Sequence, residues 1–97
     1  MARFQDLMLL HEAGLRQVLR EVLPEVLVPA LRAAQPELRE RILNLYPNRA
    51  RTLLLRRIEA TNPPVAPTAG AEAQLRILAI LERLEKEGKV SFLPEDT

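Results

Sequence analysis

The stretch PNRARTLLLRRIEAT, residues 47–61, has the periodicity of a helix with one apolar face and one charged face. Its apolar stripe recurs every four residues, at Ala50, Leu54 and Ile58. At about 100° per residue, the opposite face carries Arg49, Thr52, Arg56 and Glu59, with Arg51 and Arg57 on the flanks. The pattern predicts a helix that packs on one side and displays mainly positive charge on the other. Such a face is either an ordinary solvated surface or a binding surface.

Prolines divide the preceding part of the chain into short segments. Pro24, Pro36 and Pro47 can each open a helix but cannot continue one. Apolar residues at helical spacing precede Pro24 and follow Pro36, a short apolar run covers residues 4–10, and residues 11–14 form a polar break. Pro29 predicts either a kink after Pro24 or a helix start near residues 28–29. We therefore expect a compact stack of short helices.

The C-terminal part predicts a connector followed by the longest helix. Residues 62–70, NPPVAPTAG, favour an extended crossing because three prolines occur within six positions. Residues 71–87 then place apolar side chains on one helical face, and Gly88 is a candidate C-terminal cap. Strand signals are limited to residues 90–92. The fold class is therefore all-α, with the long helix as the central packing element.

Composition argues against catalysis. The chain has 97 residues, enough for one domain, and no cysteine, which excludes disulfides, thiolate metal sites and a cysteine nucleophile. His11 is the only histidine, and the glycines form no phosphate-binding cluster. We expect no enzyme activity, no metal and no cofactor. Without a signal peptide or membrane span in the sequence, the cytoplasm is the expected location.

Charge is unevenly distributed although the net charge is only +1. Residues 32–57 contain seven arginines against two acids, which gives +5, whereas residues 70–97 contain four basic residues against six acids, which gives −2. The middle of the chain could attract an acidic partner. Nucleic acid is a weaker alternative, because the aromatic residues do not interleave with the arginines and the pI is only about 8.3.

Seven short motifs follow one another in an order typical of a known domain. They are Met1–Phe4, Leu19–Val22, Ala30–Ala34, Leu38–Arg41, Leu45–Ala50, Pro63–Val65 and the Gln74, Ile77, Arg83, Leu84 and Gly88 pattern of the last helix. In this order the chain resembles the C-terminal domain of the flagellar motor switch protein FliG. The likeness is nearly collinear from residue 1 to residue 92.

The resemblance implies a right-handed, armadillo-like stack of five to six short helices with a longer C-terminal helix. Residues 1–92 would form this single domain, and residues 93–97 a frayed tail. It also implies protein recognition, because a charged ridge of the family's domain faces the cytoplasmic part of the stator. Arg32 and Arg49 keep the sign of that ridge, but Arg56 and Arg57 replace two adjacent acids. Val65 or Ala66 replaces a further arginine.

These residues lead to three functional hypotheses. The first is a non-enzymatic interaction module that presents Arg32, Arg49, Arg56 and Arg57 to an acidic protein surface. The second is a working rotor component that contacts the stator at the cytoplasmic face of the membrane. The third is a nucleic-acid-binding domain. The chain would be either a piece of a divergent switch protein or a free-standing relative.

A separate apolar set at the N-terminus raises the question of self-association. It consists of Phe4, Leu7, Leu9 and Leu10. A stack of short helices leaves an uncapped apolar face at one end, and these residues could cover it with a second copy. The alternative is that they complete the core of their own chain.

Overall fold

The computed structural model describes residues 3–60 and 68–90, and the secondary structure elements there are helices. They comprise a 3₁₀ helix, η1 (Phe4–Leu9), and the α-helices α1 (Glu12–Leu19), α2 (Pro24–Arg32), α3 (Pro36–Leu43), α4 (Asn48–Glu59) and α5 (Ala69–Lys86). The prediction of an all-α stack of short helices with a longer last helix is confirmed. The predicted connector at residues 62–67 and the predicted tail at residues 93–97 lie outside the described residues.

The helix starts follow the prolines, with two differences from expectation. Pro24 and Pro36 are the first residues of α2 and α3, and Pro47 caps α4. Pro29 lies inside α2, so the alternative of a helix start at residues 28–29 was wrong. Because proline has no N–H, Pro29 cannot donate to the carbonyl of Glu25, which is an exposed residue in the first turn of α2. Helix α1 begins at Glu12, so the break expected over residues 11–14 is shorter than predicted.

Helix α5 packs against three of the other helices. Its most extensive contact is with α2, and it also contacts α1 and η1. Each of these helices contributes fully buried side chains to the core, among them Leu7, Leu15, Leu31, Ile77 and Leu81. Helix α4 packs on α2, and two of the three residues predicted to form its buried stripe, Leu54 and Ile58, are buried. The third, Ala50, is only half-buried. Within the described ranges no helix is both long and apolar enough to cross a bilayer.

Helix α5 ends in a glycine cap. Gly88 has a φ of 73°, its N–H donates to the carbonyl of Glu85 at 3.0 Å, and the N–H of Lys89 donates to that of Leu84 at 2.9 Å. This pair of hydrogen bonds satisfies two carbonyls that the helix leaves free, in a backbone conformation that glycine adopts without strain. The chain then turns back, and the buried side chain of Val90 packs beside Gly14 of α1.

Gly70 permits the close crossing of α5 on α2. A Cβ atom at this position would lie 2.5 Å from the Cβ of Ala33 and 3.2 Å from the carbonyl oxygen of Pro29. The first distance is far below a van der Waals contact, and neither neighbour is the movable end of a flexible side chain. The start of α5 therefore requires a residue without a side chain where it meets the end of α2.

We predict that Gly70→Ala lowers the free energy of unfolding by about 1–3 kcal/mol, because the added methyl overpacks the crossing. Gly14→Ala is the matched control: its Cβ would lie 3.6 Å from the Cβ of Val90, an ordinary contact. Because alanine is the better helix former, this control should be neutral or stabilising by up to about 1 kcal/mol. Urea denaturation of the two variants measures the difference.

Removing the opposing methyl separates steric overlap from other effects. In the double variant Gly70→Ala with Ala33→Gly, the combined loss should be smaller than the sum of the two single losses. Strict additivity of the two changes would show that the α2–α5 crossing does not depend on the space at Gly70.

Candidate interaction surface on helix α4

Six of the seven arginines of residues 32–57 divide into an inward and an outward group of three, and Arg51 belongs to neither. Three of them, Arg32, Arg39 and Arg41, are half-buried and donate hydrogen bonds to carbonyl oxygens at the ends of other helices. Arg51 donates to the side-chain oxygens of Asn44 and Asn48. The remaining three, Arg49, Arg56 and Arg57, are exposed on α4. The local charge excess is therefore only partly a surface feature.

Arg32 holds the C-terminal end of α4. Its Nε donates to the carbonyl of Ile58 at 2.9 Å, and its Nη2 donates to those of Arg57 at 2.8 Å and Ala60 at 3.0 Å. The last carbonyls of a helix have no intrahelical donor, and the positive guanidinium also complements the negative end of the helix dipole. The expectation that Arg32 is presented to a partner is corrected: its guanidinium positions α4 within the domain.

Arg39 and Arg41, both on α3, act in the same way on two other elements. Arg39 donates to the carbonyls of Leu31 at 3.0 Å and Ala34 at 3.2 Å, at the end of α2. Arg41 donates to the carbonyls of Leu7, Met8 and Leu10 at the end of η1, the Met8 bond being 2.7 Å long. These contacts fix α3 against α2 and η1.

The outer surface of α4 combines three exposed arginines and one exposed acid, Glu59, with an exposed aliphatic side chain. Arg49, Leu53 and Arg56 follow one another at spacings of four and three residues, which places them on one helical face, and Arg57 flanks them. Leu53 is 55% exposed. We call these four residues the α4 basic face. The sequence prediction named the arginines of this face but not Leu53.

Three acidic residues elsewhere on the surface, Glu12, Glu21 and Glu87, are paired with other bases. Arg83 of α5 pairs with Glu21 and Glu87, Lys89 pairs with Glu87 at 3.1 Å, and Arg16 pairs with Glu12 at 3.1 Å. The hydrogen bond from Lys89 holds the pKa of the Glu87 carboxyl below its ordinary value. None of the ion pairs within residues 3–60 and 68–90 includes a residue of the α4 basic face. Its charges are thus available to a partner.

The comparison with known proteins decides the family. The family model of the FliG C-terminal domain matches residues 1–92. The chain belongs to the FliG C-terminal domain family. Over 87 residues, or 90% of its length, it is 37% identical to the flagellar motor switch protein FliG of Thermotoga maritima and 32% identical to that of Vibrio cholerae. These matches cover 26% and 25% of the two relatives, so the chain spans about a quarter of their length.

A solved structure supports the fold of this FliG C-terminal domain. The chain resembles the crystal structure of FliG residues 116–343 from H. pylori with a TM-score of 0.86 at 23% identity. The likeness covers 94% of this chain and 40% of that chain. At this identity it establishes the arrangement of helices and does not extend to the surface chemistry.

The N-terminal apolar set does not form one exposed face in this FliG C-terminal domain. Phe4, Leu7 and Leu10 are buried among the core residues, and only Leu9 is substantially exposed, at 49%. Of the two alternatives, Phe4, Leu7 and Leu10 follow the second and complete the core of their own chain, because η1 packs on α3 and α5. The proposal that all four could cover an open end of the stack is corrected accordingly.

Tyr46 lies in the turn between α3 and α4, one residue before the cap of α4. Its ring is half-buried, and burial raises the pKa of its phenol above the ordinary value of 10.0. A buried phenol disfavours the phenolate because charge is less well solvated there. Tyr46 is the only tyrosine and the chain has no tryptophan, so its absorbance and fluorescence report on this position alone.

We predict that replacing Arg32 by methionine lowers the free energy of unfolding by about 1–3 kcal/mol, because three helix-end carbonyls lose their donor. Arg49→Met removes the same charge from an exposed position and should change stability by no more than about 0.5 kcal/mol. Thermal and urea denaturation measure both. Equal losses would contradict the division into inward and outward arginines.

The titration of Tyr46 gives a prediction with a definite sign. In the native protein the phenolate absorbance should appear with a midpoint above 10.0, whereas in denaturant it should appear near 10. Because the unfolded chain then releases the proton first, the free energy of unfolding should fall as pH rises above about 10. Tyr46→Phe should remove this part of the pH dependence. A native midpoint at or below that of the denatured chain would contradict the prediction.

Proposed function

We propose that this domain is a non-enzymatic protein interaction module of the motor switch type, and that the α4 basic face binds an acidic surface on a partner protein. The observation that supports it most directly is the exposure of Arg49, Arg56 and Arg57 without an acidic partner among the described residues. Family membership supports the general role, because the relatives it matches are motor switch proteins. The proposed location is the cytoplasm.

The composition of the face favours a protein as the ligand. Arginine is enriched at protein interfaces, since its planar guanidinium binds carboxylates through paired hydrogen bonds. Leu53 adds an apolar contact between Arg49 and Arg56, where a partner could exclude water. No aromatic side chain belongs to the face, so the stacking that single-stranded nucleic acids require is missing from it. Nucleic acid is accordingly the weaker candidate.

The charge pattern also bears on the identity of the partner. The family resemblance implies acids where this chain has Arg56 and Arg57. A like-charge contact at an interface costs several times more than an exposed ion pair gains, so a partner built for those acids would be repelled. We therefore favour a partner with its own acidic patch over the usual stator contact. A rotor component remains the second candidate, because Arg49 keeps the sign that the family uses there.

A pull-down from the source cell tests the α4 basic face. Bait carrying Arg49→Glu and Arg56→Glu should recover the partner at least about tenfold less than wild type, since two attractive contacts become repulsive. Recovery by wild type should also fall as salt approaches about 0.3 M, where exposed charges are screened. Quantitative mass spectrometry of the recovered proteins provides the measurement.

The matched control is a double reversal on another surface. Arg76→Glu with Lys86→Glu changes the charge by the same amount at exposed positions of α5. This bait should recover the partner as wild type does. Equal recovery by all three baits would contradict the proposed face, and recovery of the stator by wild type would favour the rotor role instead.

A further inference from the structure

A small cleft lies between α1 and the turn that joins α3 to α4. It is lined by Arg16, Leu19, Arg20, Leu45 and Tyr46, and its volume is about 170 Å³. It is distinct from the α4 basic face, none of whose residues line it. Pockets for small molecules and cofactors measure ~300–1,000 Å³, so this cleft has room for a single side chain. Its opening to solvent would allow a polypeptide to pass over it.

The walls of the cleft are apolar in the interior and basic at the rim. Leu19 is buried, while Leu45 and Tyr46 are half-buried and contact the core. These surfaces suit an aliphatic side chain. Among the residues that line the cleft there is no acid.

The two arginines at the rim differ in how they are held. Arg16 is fixed by its ion pair with Glu12 and by a hydrogen bond of 3.3 Å to the carbonyl of Leu45. Arg20 has a single side-chain partner within the described chain, the amide oxygen of Gln17 at 3.4 Å. Since that contact is long and uncharged, most of the hydrogen-bonding capacity of Arg20 is available. A carboxylate could bind it through two parallel bonds.

We propose that this cleft is a second contact site that anchors an acidic peptide segment of a partner protein. One aliphatic side chain of the segment, such as leucine, enters between Leu19, Leu45 and Tyr46, and an adjacent Asp or Glu binds Arg20. The phenol O–H of Tyr46 is a neutral donor at physiological pH and can add a hydrogen bond to the same carboxylate. This choice of occupant follows from the chemistry of the cleft, because an aliphatic side chain matches its apolar space and a carboxylate matches the positive group beside that space.

A defined peptide tests the site directly. The probe is a blocked pentapeptide, acetyl-Gly-Asp-Leu-Glu-Gly-amide, titrated into the whole domain while amide NMR and the fluorescence of Tyr46 are followed. We expect saturable changes at the lining residues with a Kd of about 1 mM, which is appropriate for so small a contact. Replacing the acids of the probe by their amides, or its leucine by serine, should each weaken binding at least about fivefold.

Three variants assign the effect to the cleft. Arg20→Gln should weaken the probe at least about fivefold, and Tyr46→Phe should weaken it by a smaller factor because only the hydroxyl is lost. Arg76→Gln, at an exposed position on α5 near Pro29, is the control and should bind as wild type. Amide spectra of each variant without peptide show whether it is folded.

The outcomes are separable from those of the α4 basic face. Equal binding of the charged and neutral probes, an unaffected Arg20→Gln, or no saturation at about 10 mM would each overturn the proposal. The variant with Arg49→Glu and Arg56→Glu leaves the cleft intact and should bind the probe as wild type. If the partner is lost from that variant but the probe is not, the two sites act independently.

Discussion

The architecture depends on the satisfaction of carbonyl groups at the ends of very short helices. Helices α1 to α4 contain 8, 9, 8 and 12 residues, lengths at which an isolated helix is marginal in water. A neighbouring arginine supplies the missing donors for η1, α2 and α4. Arginine suits this task better than lysine, because its planar fork reaches two or three carbonyls at once and stays charged. Hydrophobic burial provides the driving force, and these contacts help to define how the helices are arranged.

This use of arginine explains why the sequence predicted α4 better than it predicted the surface. Helical periodicity gives the direction of each Cβ, and it correctly placed Leu54 and Ile58 inside and Arg49 and Arg56 outside. It cannot give the position of a guanidinium at the end of a long flexible stem. The sequence prediction therefore assigned Arg32 to the surface, although its long side chain places the guanidinium at the end of α4. A count of charges along the chain likewise cannot show which guanidinium groups lie at the surface.

Other features were predictable to the extent that they are local. Proline at a helix start and glycine at a helix end act through the backbone of their own residues, so α2, α3 and the Gly88 cap could be predicted. Gly70 and the Arg20–Tyr46 cleft could not, because each exists only where two separate elements meet. Gly14 was interpreted as a helix break, whereas it lies in the first turn of α1 opposite Val90. Only the packed structure distinguishes these roles of glycine.

The separation of inward from outward arginines has a consequence for how such a domain can change partners. Helix α4 is held by Leu54, Ile58 and the contacts of Arg32, none of which depends on its outer residues. An exposed ion pair contributes at most about 1 kcal/mol to stability, so charge reversal on this face leaves the fold almost unaffected. At an interface the same reversal turns attraction into repulsion and acts on both the association rate and the affinity. A stack built in this way can keep its helices while the charge of its outer surface changes, and this chain combines a FliG C-terminal fold with exposed arginines on α4.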